Sequence, residues 1–135
     1  MPRHSLTVTD TLEYLSILDD QGNLDRELEP QIADEQLRDI YRAMLLGRRF
    51  DERMLDLQRQ GRIGTFPPIK GQEATQMGAI VNLLPTDWFV PAFREVAAEI
   101  WRGRSMESVM LFYNGFNEGT IIPGNQKDLP IAVPV

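Results

Sequence analysis

The sequence predicts a mostly α-helical chain with a few short strands, and three observations carry that reading. Apolar residues recur at helical spacing through Leu37, Ile40, Tyr41, Met44 and Leu45, then Phe50, Met54, Leu55 and Leu57. Shorter helical patterns follow, each closed by a Pro or a Gly. Two brief apolar runs, Trp88-Phe89-Val90-Pro91 and Leu129-Pro130-Ile131-Ala132-Val133-Pro134-Val135, read as strands. With 135 residues, 42% hydrophobic and 25% charged, the chain has the material for one globular core.

Residues 1–30 read as an N-terminal arm, separate from a domain over 31–135. Leu12, Tyr14, Leu15, Ile17 and Leu18 end in Asp19-Asp20-Gln21-Gly22-Asn23, a strong turn signal. Leu24 resumes the chain, so the arm can fold into a small hairpin. Its acidic and proline-containing flanks suit a segment draped over a surface better than a core.

A long helix is expected to begin at Ala33-Asp34, with Asp34 as the N-cap and Glu35 favoured by the helix dipole. Gly47 weakens its middle by about 1 kcal/mol relative to alanine. Gly61 is a natural stop and Gly64 lies past it. Residues 65–70, Thr-Phe-Pro-Pro-Ile-Lys, form an irregular loop.

A second helix is expected over 72–82, with Ala74, Met77, Ile80 and Val81 facing inward and Pro85 closing it. The strand at 88–91 leads into a third helix over 95–102 that stops at Gly103. Ser105 caps a fourth, whose apolar face is Val109, Met110, Phe112 and Tyr113. Residues 114–128 are rich in Gly, Asn and Pro, and the run 129–135 reads as a final strand. A last strand with no covering element wants a sheet from elsewhere, so the expectation is that this chain is the front part of a longer one.

Composition excludes several function classes. Fourteen Lys and Arg against twenty Asp and Glu leave a net charge of −6, which disfavours nucleic acid and anionic membrane as partners. Cysteine is absent and the single histidine is His4, so thiolate chemistry, a Ser-His-Asp triad and a histidine metal site are out of reach. No apolar run approaches the roughly 20 residues that span a bilayer, and the start lacks a signal-peptide core; a cytoplasmic setting is the expectation.

The motifs that carry chemistry are Gly71-Gln72-Glu73-Ala74, which opens a helix, and Phe93-Arg94-Glu95, where a strand gives way to one. An arginine beside free backbone N–H groups at a helix start is a physical site for a phosphate group. On the residues alone, Arg94 reads as a solvated cation or a partner for Glu95 or Glu99.

These motifs occur in order with Leu37-Arg38-Asp39-Ile40-Tyr41-Arg42-Ala43-Met44, Arg49-Phe50-Asp51-Glu52-Arg53, Arg59-Gln60-Gly61-Arg62-Ile63-Gly64, Asp87, Trp101-Arg102-Gly103 and Leu129-Pro130-Ile131. Together, over roughly residues 10–135, the chain resembles the alpha subunit of the thiamine-diphosphate-dependent pyruvate dehydrogenase (acetyl-transferring) component, in its N-terminal part. The resemblance implies an α/β fold of the doubly wound, thiamine-diphosphate-binding kind. It also implies decarboxylation of pyruvate with thiamine diphosphate and magnesium, and transfer of the acetyl unit to a lipoyl group. The implied partners are a beta subunit, in a heterotetramer of two alpha and two beta chains, and a lipoyl-bearing acyltransferase. The alternatives are a branched-chain 2-oxoacid dehydrogenase alpha subunit and an inactive piece that only binds a beta subunit.

Carried over residue by residue, the resemblance places Phe93 and Arg94 at the cofactor diphosphate, where the family has Tyr-Arg. The guanidinium fork suits two phosphate oxygens, and the Phe removes one hydroxyl donor. Phe66 and Ile69 fall on the loop that lines the substrate entrance in the family, with Pro67 where one branch has a histidine. The family's Gly-Asp-Gly cofactor signature does not occur in the 135 residues, so cofactor and magnesium both need residues beyond this chain. No catalytic residue and no metal ligand is assigned here. Glu73 reads as a structural acid in a first helical turn. Arg48, Arg49 and Arg53 read as salt-bridge and interface residues, and Trp88, Trp101, Phe112 and Tyr113 as core.

Overall fold

The computed structural model of the chain describes residues 14–120, which divide into two compact units, one through Ile32 and one from Ala33. The expected strand at 129–135 and most of the Gly- and Asn-rich segment lie outside the described residues.

The first unit is organised by one aspartate. The Asp19 carboxylate accepts from the backbone N–H of Gln21 (2.9 Å) and Asn23 (2.7 Å), and from the Asn23 side-chain amide (2.8 Å). Gly22 supplies the left-handed residue of the turn at φ 85°. Leu18 and Leu24 then pair in a single antiparallel bridge. Hydrogen bonds from Asn23 hold the Asp19 carboxyl below its ordinary pKa. Tyr14, Leu15 and Leu18 stay exposed, so polar bonding rather than burial shapes this segment.

The second unit is helical: α1 (Asp34–Arg59), α2 (Glu73–Ile80), α3 (Val96–Trp101), α4 (Met106–Tyr113) and a short 3-10 turn (Asn117–Thr120). Ala33, not Asp34, occupies the N-cap of α1; Asp34 is already helical and, with Glu35, serves the dipole from the first turn. Gly61 ends the helix in the left-handed region at φ 69°, which a side chain would resist. At α4, Ser105 caps as expected, its hydroxyl accepting from the Ser108 N–H at 3.0 Å.

The core gathers Phe50, Met54 and Leu57 of α1, Met77 and Ile80 of α2, Val96, Ala97 and Ala98 of α3 and Val109 of α4. Burial therefore belongs to the C-terminal half of α1. Leu37, Tyr41, Leu45 and Leu46 remain exposed on its N-terminal half, although they share the helical period. Gly47 marks where the buried half begins. A Cβ there would lie 2.8 Å from the Ala97 Cβ, so the glycine lets α1 and α3 cross at close range.

Three expectations are corrected. Ala74 is exposed, and Glu73 and Gln76 take the inward positions of α2 instead, held by polar partners. Trp88 is 71% exposed and does not enter the core. Residues 88–91 show one bridge position, at Phe89, and no strand forms among the described residues. A strand needs a continuous ladder of partners, which the helices of this unit do not offer.

Candidate functional site

The segment before α3 brings Phe93 and Arg94 to the surface and fixes their backbone at nearly every polar group. The Glu95 carboxylate accepts from the N–H of Ala92 (2.9 Å) and of Arg94 (3.0 Å). The Arg94 carbonyl accepts from the Gln76 side-chain amide at 2.7 Å, and the Phe93 carbonyl from the Tyr113 hydroxyl at 3.3 Å. The Gln76 carbonyl oxygen accepts from Ala97 (3.1 Å) and Ala98 (3.2 Å), the first turn of α3. Of the N–H groups at this helix start, those of Ala97 and Ala98 are already taken by Gln76, while Glu95 takes two just before the helix. The guanidinium therefore offers an anion more donors than the helix terminus does.

Arg94 as a whole residue is half-buried, and its guanidinium bond lies at the exposed surface. One of its terminal nitrogens donates to the Pro68 carbonyl at 3.0 Å, and its carbon lies 5.3 Å from the Phe93 ring centroid. The contact orients the group over an aromatic face and leaves further donors of the fork without a partner among the described residues. Phe93 is 58% exposed and forms one side of the guanidinium's setting.

Beside them opens a cavity of about 620 Å³, lined by Thr65, Pro67, Ala92, Phe93, Phe112 and Tyr113, with Glu99 and Arg104 at its base. Phe66 and Ile69 are 2% and 0% exposed, so these side chains face the core and not the open surface of this chain. Phe66 meets Tyr113 edge-on with ring centroids 4.9 Å apart. Its backbone N–H donates to the Gln58 side chain, and that of Ile69 to Asp51 at 2.7 Å. The loop is pinned from beneath by these two residues, and it presents Thr65 and Pro67 instead. Burial raises the Tyr113 hydroxyl and the Asp51 carboxyl above their ordinary pKa values, the latter against opposing bonds from Ile69 and Lys70.

Two ion pairs frame the region, and neither was paired from the sequence. Arg48 of α1 grips Glu73 of α2 with both arms of its fork, the second at 2.9 Å, and Glu73 also accepts from the Gly71 N–H at 2.9 Å. The Arg48 bond holds the Glu73 carboxyl below its ordinary pKa. Arg104 meets Glu99 in full burial, and its remaining donors reach Ser108 and the Gly119 carbonyl. The one available signal was spacing: Glu73, Gln76, Met77 and Ile80 share a helical face, which marks the two polar members as buried and partnered.

The residues present fit a phosphate group at one point, the unspent donors of Arg94. They do not fit magnesium: among the described residues no group of three or more His, Asp or Glu is placed to hold a metal ion. No described helix is long and apolar enough to cross a membrane.

The family model described as dehydrogenase E1 component matches residues 41–128. Similar curated proteins are pyruvate dehydrogenase E1 component alpha subunits. That of Acholeplasma laidlawii is 39% identical over 110 residues, covering 82% of this chain and 32% of the relative. That of Mycoplasma genitalium is 37% identical over 120 residues, covering 88% and 34%. That of Staphylococcus aureus is 37% identical over 112 residues, covering 82% and 30%. The chain spans about a third of the length of these relatives. A match over most of its residues, at this identity, means that the chain belongs to the dehydrogenase E1 component family.

Proposed function

We propose that the chain is the N-terminal part of the alpha subunit of a pyruvate-type 2-oxoacid dehydrogenase, in which Arg94 anchors the diphosphate of thiamine diphosphate. The observation that carries this reading is the guanidinium of Arg94, held at Pro68 with donors left over among the described residues, in a chain of this family. A fork of donors next to an aromatic ring suits a polyanion, which it meets through charge-assisted bonds. Phe93 packs beside the guanidinium, while Phe66 and Ile69 fix the loop whose outer residues, Thr65 and Pro67, border the approach of the 2-oxoacid.

When bound, thiamine diphosphate supplies the electron sink that lets carbon dioxide leave a 2-oxoacid. The part of this chain is to orient and to shield: Arg94 binds, the 92–94 turn holds its position, and the apolar cavity walls limit water. Magnesium and the rest of the cofactor site fall to residues other than those described. A beta subunit and a lipoyl-bearing acyltransferase complete the proposed assembly, which converts pyruvate to an acetyl group on the lipoyl carrier. The names of the relatives favour pyruvate over branched-chain 2-oxoacids.

A chimera tests the reading. These residues replace the matching segment of the Staphylococcus aureus alpha subunit, which is assembled with its beta subunit and assayed for pyruvate decarboxylation. Activity is expected, with Arg94→Ala raising the cofactor concentration needed by at least about tenfold, or 1.4 kcal/mol. An assembled chimera that prefers a branched-chain 2-oxoacid overturns the substrate; one whose cofactor affinity ignores Arg94→Ala removes Arg94 from the site. The 135-residue chain alone, offering one anchoring cation, is expected to show no micromolar binding of magnesium–thiamine diphosphate in calorimetric titration.

A further inference from the structure

Gln76 lies on the inward face of α2, 7% exposed, and its amide is used at both ends. Its oxygen accepts from Ala97 and Ala98, and its nitrogen donates to the Arg94 carbonyl. Capping the start of α3 needs only an acceptor, and a carboxylate serves that purpose as well as an amide. The donor half does something a cap does not require: it fixes the carbonyl of the residue whose side chain faces the anion site.

We propose that Gln76 is a positioning residue for Arg94, holding its backbone so that the guanidinium stays aimed at a diphosphate-type anion. This inference rests on the anchoring role given to Arg94 above. Three bonds fix that residue: Glu95 takes its N–H, Gln76 its C=O, and Pro68 one guanidinium nitrogen. Gln76 supplies the one that ties the turn to α2. The Pro68 carbonyl precedes α2 by a few residues, so loop and helix fix side chain and backbone from one side. Loss of the amide donor frees the carbonyl to swing, and the guanidinium with it.

Gln76→Glu separates the two jobs, because a carboxylate still accepts from Ala97 and Ala98 but cannot donate to Arg94. In the ¹⁵N-labelled 135-residue chain, the order parameter of the Arg94 Nε–H is expected to fall in the variant relative to the parent. The Ala97 and Ala98 amides should keep their protection, showing that the cap survives. Inorganic pyrophosphate is the ligand probe, followed at the backbone amide resonances of residues 92–95, which every variant retains. Its apparent Kd should rise at least about tenfold in Gln76→Glu, with no further loss when Gln76→Glu is added to Arg94→Ala. A merely structural role would instead weaken both backgrounds alike.

An Arg94 that stays equally ordered in Gln76→Glu overturns the inference and leaves the anchoring role standing. A wild-type Arg94 resonance that ignores pyrophosphate overturns the anchoring role, whatever the order parameter does. The wild-type chain also tests the bond without any variant: one Gln76 side-chain amide proton should exchange slowly, and fast exchange of both overturns the assignment.

Discussion

Arg104 lines the cavity and Arg94 follows its lining residue Phe93, and the two hold the same chemical group in opposite settings. Arg104 is fully buried; its donors go to Glu99, Ser108 and the Gly119 carbonyl, and its guanidinium carbon lies 5.4 Å from the Phe112 ring centroid. Arg94 is half-buried and gives one bond to the Pro68 carbonyl. Removing a charge from water is costly unless its donors find acceptors, so a buried arginine is committed to the fold. The more open arginine escapes that demand because water can serve its spare donors. Solvation, not residue type, thus separates an arginine committed to the structure from one with donors to spare among the described residues.

The widest separation between base and rim should appear on breaking the buried pair. Glu99→Ala leaves Arg104 charged, buried and unmatched, at an expected cost of about 3–5 kcal/mol, a large part of the stability of a small domain. Urea denaturation followed by circular dichroism measures it. Replacing both partners by apolar residues, Glu99→Leu with Arg104→Met, should restore most of the loss. A single Glu99→Ala that costs less than about 1 kcal/mol would mean that water reaches this base, and the distinction from the rim would fail.

Gly47→Ala probes the same base through packing. The added methyl would stand 2.8 Å from the Ala97 Cβ, and backbone lies just behind it. Overpacking of this kind costs about 1–3 kcal/mol, against roughly 1 kcal/mol gained in helix propensity. A net loss of up to about 2 kcal/mol is expected in the same denaturation measurement. A stabilised variant would show that α1 and α3 do not meet as closely as described.

Gly47 also shows what the sequence could and could not reveal. Its helix-weakening effect is a local property and is visible in the residue string; its purpose depends on Ala97, half a domain away. Ser105 and Gly61 were legible for the same reason, since caps and stops are decided by neighbours in sequence. Arg48–Glu73 and Arg104–Glu99 were not, because an ion pair joining two elements leaves no periodic trace. Arg94 stands out in the sequence through its motif, yet the motif implied free helix N–H groups, and Gln76 takes two of them, at Ala97 and Ala98. The burial of Phe66 and Ile69 likewise depended on where the 65–70 loop crosses α1, a matter of tertiary position.

An intermediate case is Glu73, buried but paired with the more open Arg48. Its folded pKa lies below its ordinary value near 4.5. Its contribution is therefore complete above that value and disappears as pH falls through the lowered one. Asp51 carries the opposite sign: burial raises it above 3.8, so its contribution is complete below that value and is lost as pH rises through the raised one. Glu73→Gln should thus be less stable than the parent at pH 7, with the gap closing on acidification below about pH 4.5. Denaturation midpoints of both proteins from pH 7 to pH 3 give the comparison. A gap that is constant across this range would assign the effect to packing and not to charge.

The smallest effect on stability is expected at the rim itself. Arg94→Ala removes one charge-assisted bond to Pro68 and a stacking contact with Phe93, both open to water, so about 1 kcal/mol or less should be lost. Arg94→Lys should cost no more than this, since the ammonium can still reach a carbonyl, but it gives up the planar fork. Folding and anion binding should therefore part company here: both variants melt near the parent, and both bind pyrophosphate more weakly, the alanine more so than the lysine. Arg104→Ala should do the reverse, crippling the fold. If Arg94→Ala instead lowers stability by more than about 2 kcal/mol, its donors are committed to the structure as those of Arg104 are, and no fork is left to meet a phosphate.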